Sequence, residues 1–172
     1  MFQELFIIFF AAAISNNFVL YRFLGICPFL GVSKQLSSAY NMGLAVTFVM
    51  VLSSLATYLI NNYLLVPFGL PFLKYVSFIL VIASLVQLIE MYLQKFYPGI
   101  YSAFGIYLPL ITTNCAIFGL VLINVLNAYS FIESIVFAFG AGAGFTLALI
   151  LMASIRERLQ ESKVLWSLRR EY

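Results

Sequence analysis

Five long apolar stretches, separated by short polar or turn-forming segments, set the pattern of this chain. They run about Leu5–Gly25, Tyr40–Leu65, Phe72–Leu93, Ile100–Leu126 and Phe131–Ile155. A helix rises about 1.5 Å per residue, so about 20 apolar residues cross a hydrocarbon layer of about 30 Å. Turn-forming residues gather in the breaks: Pro28 to Gln35, Pro67 to Pro71, Lys95 to Gly99 and Asn127 to Ser130. The pattern predicts an all-α integral membrane protein with five transmembrane helices in a single domain over 1–158. A basic cytoplasmic tail, 159–172, follows. Glu4 is the only charge before Ala11–Ala13, and no basic stretch precedes it. The first stretch is therefore expected to stay as a helix and not to be cleaved as a leader.

Composition sharpens this. The 172 residues are 64% hydrophobic and 9% charged, whereas a soluble domain carries roughly 25% charged residues. Histidine and aspartate are absent. That excludes a Ser-His-Asp triad, a histidine metal site and paired aspartates. Basic residues orient the bundle. With the N-terminus outside, Arg22, Lys34, Lys95, Arg156, Arg158, Lys163, Arg169 and Arg170 all fall inside, and only Lys74 falls outside. The tail cations suit anionic headgroups or a partner protein equally. Gly140, Gly142 and Gly144 strip bulk from one helix, for close packing within the chain or against another protein.

Chemistry concentrates at Cys27 and Cys115. Cys27-Pro28-Phe29-Leu30-Gly31 and Cys115-Ala116-Ile117-Phe118-Gly119 both read Cys-x-apolar-apolar-Gly. Three spans from one to the next make the two segments run in opposite directions. An inverted repeat predicts this, with its site at the repeat interface near the midplane; the halves would be about 1–95 and about 98–158. Gly25, Pro28 and Gly31 around the first cysteine, and Pro109, Thr112, Thr113 and Asn114 before the second, predict broken helices at both. A closed zinc site or a [2Fe–2S] cluster takes four ligands, and this chain offers two. Either the cysteines are small buried hydrophobes, or another chain supplies the remaining ligands.

The flanking sequence bears on that choice. NNFVLYRFLGICPFLGVSK (Asn16–Lys34) and LPLITTNCA (Leu108–Ala116) resemble the two signatures of the A-subunit family of Rnf complexes, the ion-pumping ferredoxin:NAD oxidoreductases of prokaryotes. TFVM (Thr47–Met50), FILVIA (Phe78–Ala83) and IRERL (Ile155–Leu159) agree at matching intervals, so the resemblance spans about Leu5 to Leu159. The related subunits of sodium-pumping NADH:quinone reductase share the paired-cysteine design and are the alternative reading. The resemblance implies that Cys27 and Cys115 bind the iron of one [2Fe–2S] cluster shared with the homologous E subunit, which has the opposite topology and brings the other two cysteines. It implies single-electron relay through the cytoplasmic (inner) membrane, within a complex whose flavins and further iron–sulfur clusters sit on the remaining Rnf subunits. No turnover is expected of the chain alone, and lipid but no nucleic acid is an expected partner. The family also implies a sixth span completing a three-plus-three repeat, where this sequence has SKVLWSLRREY after IRERL.

Gly25, Pro28, Thr113 and Asn114 are the expected surroundings of the cluster, with Asn16 and Asn17 next and Arg22 near enough to tune it. Glu90 reads either as an interfacial carboxylate paired with Lys95 or as an ion ligand. Glu133 reads as a helix-start acid. Two other functional classes remain: a small inverted-repeat transporter with structural cysteines, and a scaffold for other redox subunits.

Overall fold

A computed structural model of the chain describes residues 2–33, 35–69, 71–96, 99 and 108–161. The expected start of the fourth span at Ile100, together with Lys34 and the tail cations Lys163, Arg169 and Arg170, lies outside the described residues. Helix α1 (Phe2–Phe10) runs on through a π-helical turn, Ala11–Ser15. Then follow α2 (Ile26–Val32), α3 (Leu36–Ile60, extended by a π-helical turn to Leu65), α4 (Lys74–Phe96), α5 (Leu108–Thr112), α6 (Cys115–Leu126) and α7 (Phe131–Glu161). Among the described residues, four stretches are long and apolar enough to cross a membrane: Leu36–Leu65, Lys74–Phe96, Pro109–Leu126 and Phe131–Leu159.

The first expected span is corrected. Its helix stops at Ser15, giving a rise of about 20 Å against the roughly 30 Å needed. Asn16 to Gly25 is a compact irregular segment instead. The cause is Asn17, whose Oδ1 accepts the Val19 and Leu20 N–H groups at 3.0 and 3.4 Å and so competes with the helix ladder. The segment Pro28 to Gln35, expected as a turn, is mostly helix α2.

The interior combines large apolar side chains, among them Phe18, Phe78, Phe145, Met42 and Leu149, with many small and weakly polar residues. Ala39, Gly43, Ala116, Ala138, Ala141, Ala148, Ser53, Ser54 and Ser134 are buried, whereas Phe6, Leu44, Phe48, Leu80, Leu88 and Leu147 face outward. Lipid is as apolar as leucine, so burial alone does not press helices together, and they associate most closely where small residues let their backbones approach.

The most extensive such approach joins α3 to α7. A Cβ on Gly43 would stand 2.6 Å from Thr146 Oγ1, and one on Gly142 2.5 Å from Thr47 Cγ2. Each threonine occupies the space left by the other helix's glycine. Thr47 Oγ1 also donates to its own helix at Gly43 O (2.7 Å), and Thr146 Oγ1 to Gly142 O (2.8 Å). The pairing of 43 with 146 and 47 with 142 is antiparallel and reciprocal, as a local two-fold requires. On another face of α7, Gly140 and Gly144 admit the backbone of the first helix: an added Cβ would meet Phe9 O at 2.7 Å and Ala13 O at 2.5 Å. The glycine run therefore packs within this chain.

Backbone cannot rotate out of the way as a side chain can. Gly144→Ala is expected to destabilise the protein by about 1–3 kcal/mol, whereas Ala143→Leu, on the outward face, should stay within about 0.5 kcal/mol. Thermal denaturation in detergent checks this, and equal midpoints for the two variants would contradict the packing.

Candidate functional site

Cys27 and Cys115 are both free and exposed. They lie in the first turns of two separate helices, Cys27 second in α2 and Cys115 first in α6. The fold links these turns directly: the Gly25 N–H donates to Cys115 Sγ at 2.9 Å. A helix's first turn has unpaired N–H groups and the positive end of its dipole. Both sulfurs thus sit where added negative charge is favoured.

The breaks that create these termini fall just before each cysteine. Gly25 caps α2 in the left-handed region, φ 81°, which glycine adopts at little cost. A Cβ there would also strike Phe145 Cε2 at 2.6 Å. Phe23, two residues earlier, has φ 55°. Cys27 is already helical, so the break lies earlier than Pro28 alone predicts; Pro28 is buried in the first turn, where its missing N–H costs nothing. Before the second cysteine, Asn114 is the N-cap, and its Oδ1 accepts the Ala116 N–H at 3.0 Å. Asn114 Nδ2 is buried and has no partner among the described residues.

The two Cys-x-x-x-Gly segments also pack alike. Gly119 admits Leu24, which would lie 2.8 Å from an added Cβ, and Gly31 faces Leu110 at 3.6 Å. Each glycine thus meets a leucine from the stretch preceding the other cysteine.

Other expected site residues are placed differently. Thr113 is exposed and its Oγ1 donates to Pro109 O at 2.9 Å, completing the last turn of α5. Asn17 is buried and fully used: besides its two accepted bonds, Nδ2 donates to Gly144 O at 2.8 Å, tying the first break to α7. Arg156 is more than a tail cation. Its Nη1 donates to Leu30 O at 2.9 Å, closing the carbonyl end of the Cys27 helix. Sequence reasoning missed this tie, although IRERL was the segment that carried it. Among the described residues, Glu90 makes no ion pair with Lys95, whose Nζ lies 5.9 Å from the Phe96 ring centre. Five positions along a helix put side chains about 140° apart.

No group of three or more His, Cys, Asp or Glu among the described residues could hold a metal ion. The pair can present two sulfur ligands to a group that other donors complete.

The family described as Rnf-Nqr subunit, membrane protein, matches residues 5–169. The chain is 58% identical over 154 residues to the A subunit of the Na(+)-translocating ferredoxin:NAD(+) oxidoreductase complex of Acetobacterium woodii, covering 90% of this chain and 80% of that protein. It is 53% identical over 158 residues to the A subunit of the ion-translocating oxidoreductase complex of Syntrophotalea carbinolica, covering 92% and 82%. Against the protein of the same name from Shewanella sediminis it is 52% identical over 162 residues, covering 94% and 84%. The chain belongs to the Rnf-Nqr family of membrane subunits.

Proposed function

We propose that this chain is the electron-relay A subunit of an ion-translocating ferredoxin:NAD oxidoreductase complex in a prokaryotic inner membrane, its N-terminus outside, and that Cys27 and Cys115 supply half the ligands of a [2Fe–2S] cluster completed by a homologous partner subunit. The observation that carries the reading is the hydrogen bond from the Gly25 N–H to Cys115 Sγ, which ties the cap of the Cys27 helix to the second cysteine, both thiols being exposed. The names of the relatives, subunits of ion-translocating oxidoreductases, support the wider assignment.

The donor set fits half a cluster. Thiolates are the usual ligands of such clusters, four to each, and two thiols at the chain's surface leave room for two from outside. Exposure is otherwise a poor choice for cysteines that serve only as packing. When bound, such a cluster accepts and passes one electron at a time. The chain's own part is to hold the sulfurs and to temper the added charge. The Gly25 N–H and the two helix starts do the latter, and hydrogen bonds to sulfur are a main control on cluster potential. Phe145, Ala116 and Leu24 back the site with apolar surface, and Arg156 fixes the far end of α2.

In the purified complex, Cys27→Ser and Cys115→Ser are each expected to remove one reduced-cluster EPR signal while the subunits still assemble. Ferredoxin-to-NAD activity should fall beyond the about 10–100-fold that outer-shell losses cost. Retention of every signal and of full activity in both variants would overturn the proposal. Arg156→Gln should keep the cluster but shift its midpoint potential and slow turnover by up to about 10-fold. An unchanged potential and rate would reduce Arg156 to a surface anchor.

A further inference from the structure

A second polar site lies at the other end of α6. A cavity of about 410 Å³ is bounded there by the ends of α3 and α6 and the start of α7, and half its wall is polar. Ser54, Asn124, Ser134, Glu133 and Lys74 contribute to that wall. Asn124 Nδ2 donates to Ser54 Oγ at 2.8 Å, and Ser54 Oγ donates to the Ser134 carbonyl at 3.2 Å. Asn124 Oδ1 and Ser134 Oγ are left buried without a partner among the described residues. Asn124 is 8% exposed and Ser134 2%. An amide oxygen can only accept, and burying one unmet is costly.

We propose that this cavity binds a monovalent alkali cation, with Asn124 Oδ1 and Ser134 Oγ among its ligands. Amide and hydroxyl oxygens with one carboxylate form a hard donor set; among the described residues no sulfur or imidazole lines the wall to suit a transition metal. Divalent ions are usually held by several carboxylates. Among the described residues of the wall Glu133 is the single carboxylate and Lys74 the single cation, so the wall carries no net charge and does not match a divalent ion. Glu133 Oε2 is engaged by the Ser130 N–H at 2.8 Å, so that carboxylate is fixed in place. An anion is disfavoured by Glu133 and by the unmet amide oxygen. The last turn of α6 adds its carbonyl end, which attracts cations. The ion-translocating reading gives the site its use, but binding itself does not depend on that reading.

The test is thermal unfolding of the purified complex in sodium, lithium or potassium chloride against choline chloride at equal ionic strength, followed by a probe of this chain. A ligand that binds the native state raises its midpoint. One alkali cation is expected to raise it by about 2–4 °C in the wild type. Asn124→Leu and, independently, Ser134→Ala should abolish that rise, and Asn124→Asp should obtain it at lower salt. Ser134→Ala keeps the carbonyl that Ser54 uses, so it guards against misfolding of Asn124→Leu. No cation-specific rise in the wild type, or an equal rise in all variants, overturns the site and assigns the cavity to water. The EPR signal is read in the same samples: its loss without loss of the cation response would count against the cluster assignment alone.

Discussion

In a hydrocarbon solvent every backbone N–H and C=O must find a partner inside the protein, and that constraint organises this fold. Each group left unmet costs several kcal/mol, yet among the described residues helices break off before each cysteine, at Asn16–Gly25 and at Thr113–Asn114. The interruptions survive because nearby side chains meet the freed groups. Asn17 takes the Val19 and Leu20 amides and reaches across to Gly144 O. Asn114 takes the Ala116 amide, and Thr113 returns a bond to Pro109 O. The Gly25 N–H goes to Cys115 sulfur. One of the two cysteines is thus already part of the backbone accounting, and the bond that holds Cys115 to the Gly25 turn also holds the two helix breaks together.

The same solvent explains why the scaffold is reciprocal. With no hydrophobic force to press helices together, contact depends on how closely backbones approach. Gly43 with Thr146 and Gly142 with Thr47 give each helix one recess and one filler. Near the cysteines Gly119 gives a recess that Leu24 fills, while Gly31 touches Leu110 at ordinary contact distance. Both sets of contacts pair one half of the sequence with the other.

Much of this was legible in the sequence, and the failures have identifiable causes. Span existence follows from apolar length, which is why the spans ending at Leu65, Leu126 and near Ile155 lie close to their expected places. The first span misled because Asn16, Asn17 and Gly25 are too few to lower its average hydropathy, although Asn17 alone supplies the bonds that end the helix. The glycine run was visible as a packing face, but Gly-x-x-x-Thr was not, since its meaning depends on a threonine about 100 positions away. Arg156 read as a contact to headgroups or to a partner protein because charge counting ignores which carbonyls lie within reach. Glu90 and Lys95 looked paired along the chain, and helical periodicity separates them.

Helix α6 connects the two polar features of the molecule. Cys115 is its first residue, and Asn124 comes nine positions later, about 13 Å along the axis at 1.5 Å per residue. Its N-terminal dipole end faces the sulfurs, and its carbonyl end faces the oxygen-lined cavity. Unit charges at that spacing interact by about 1 kcal/mol even at an effective dielectric of about 20, and salt does not screen a path through the bundle as it does one through water. A negative charge gained at the cysteines and a cation held near Asn124 would therefore favour one another without any movement of the helix. Leu120, Ile117 and Val121, which pack along the same helix at 0% exposure, keep that path dry and the spacing fixed.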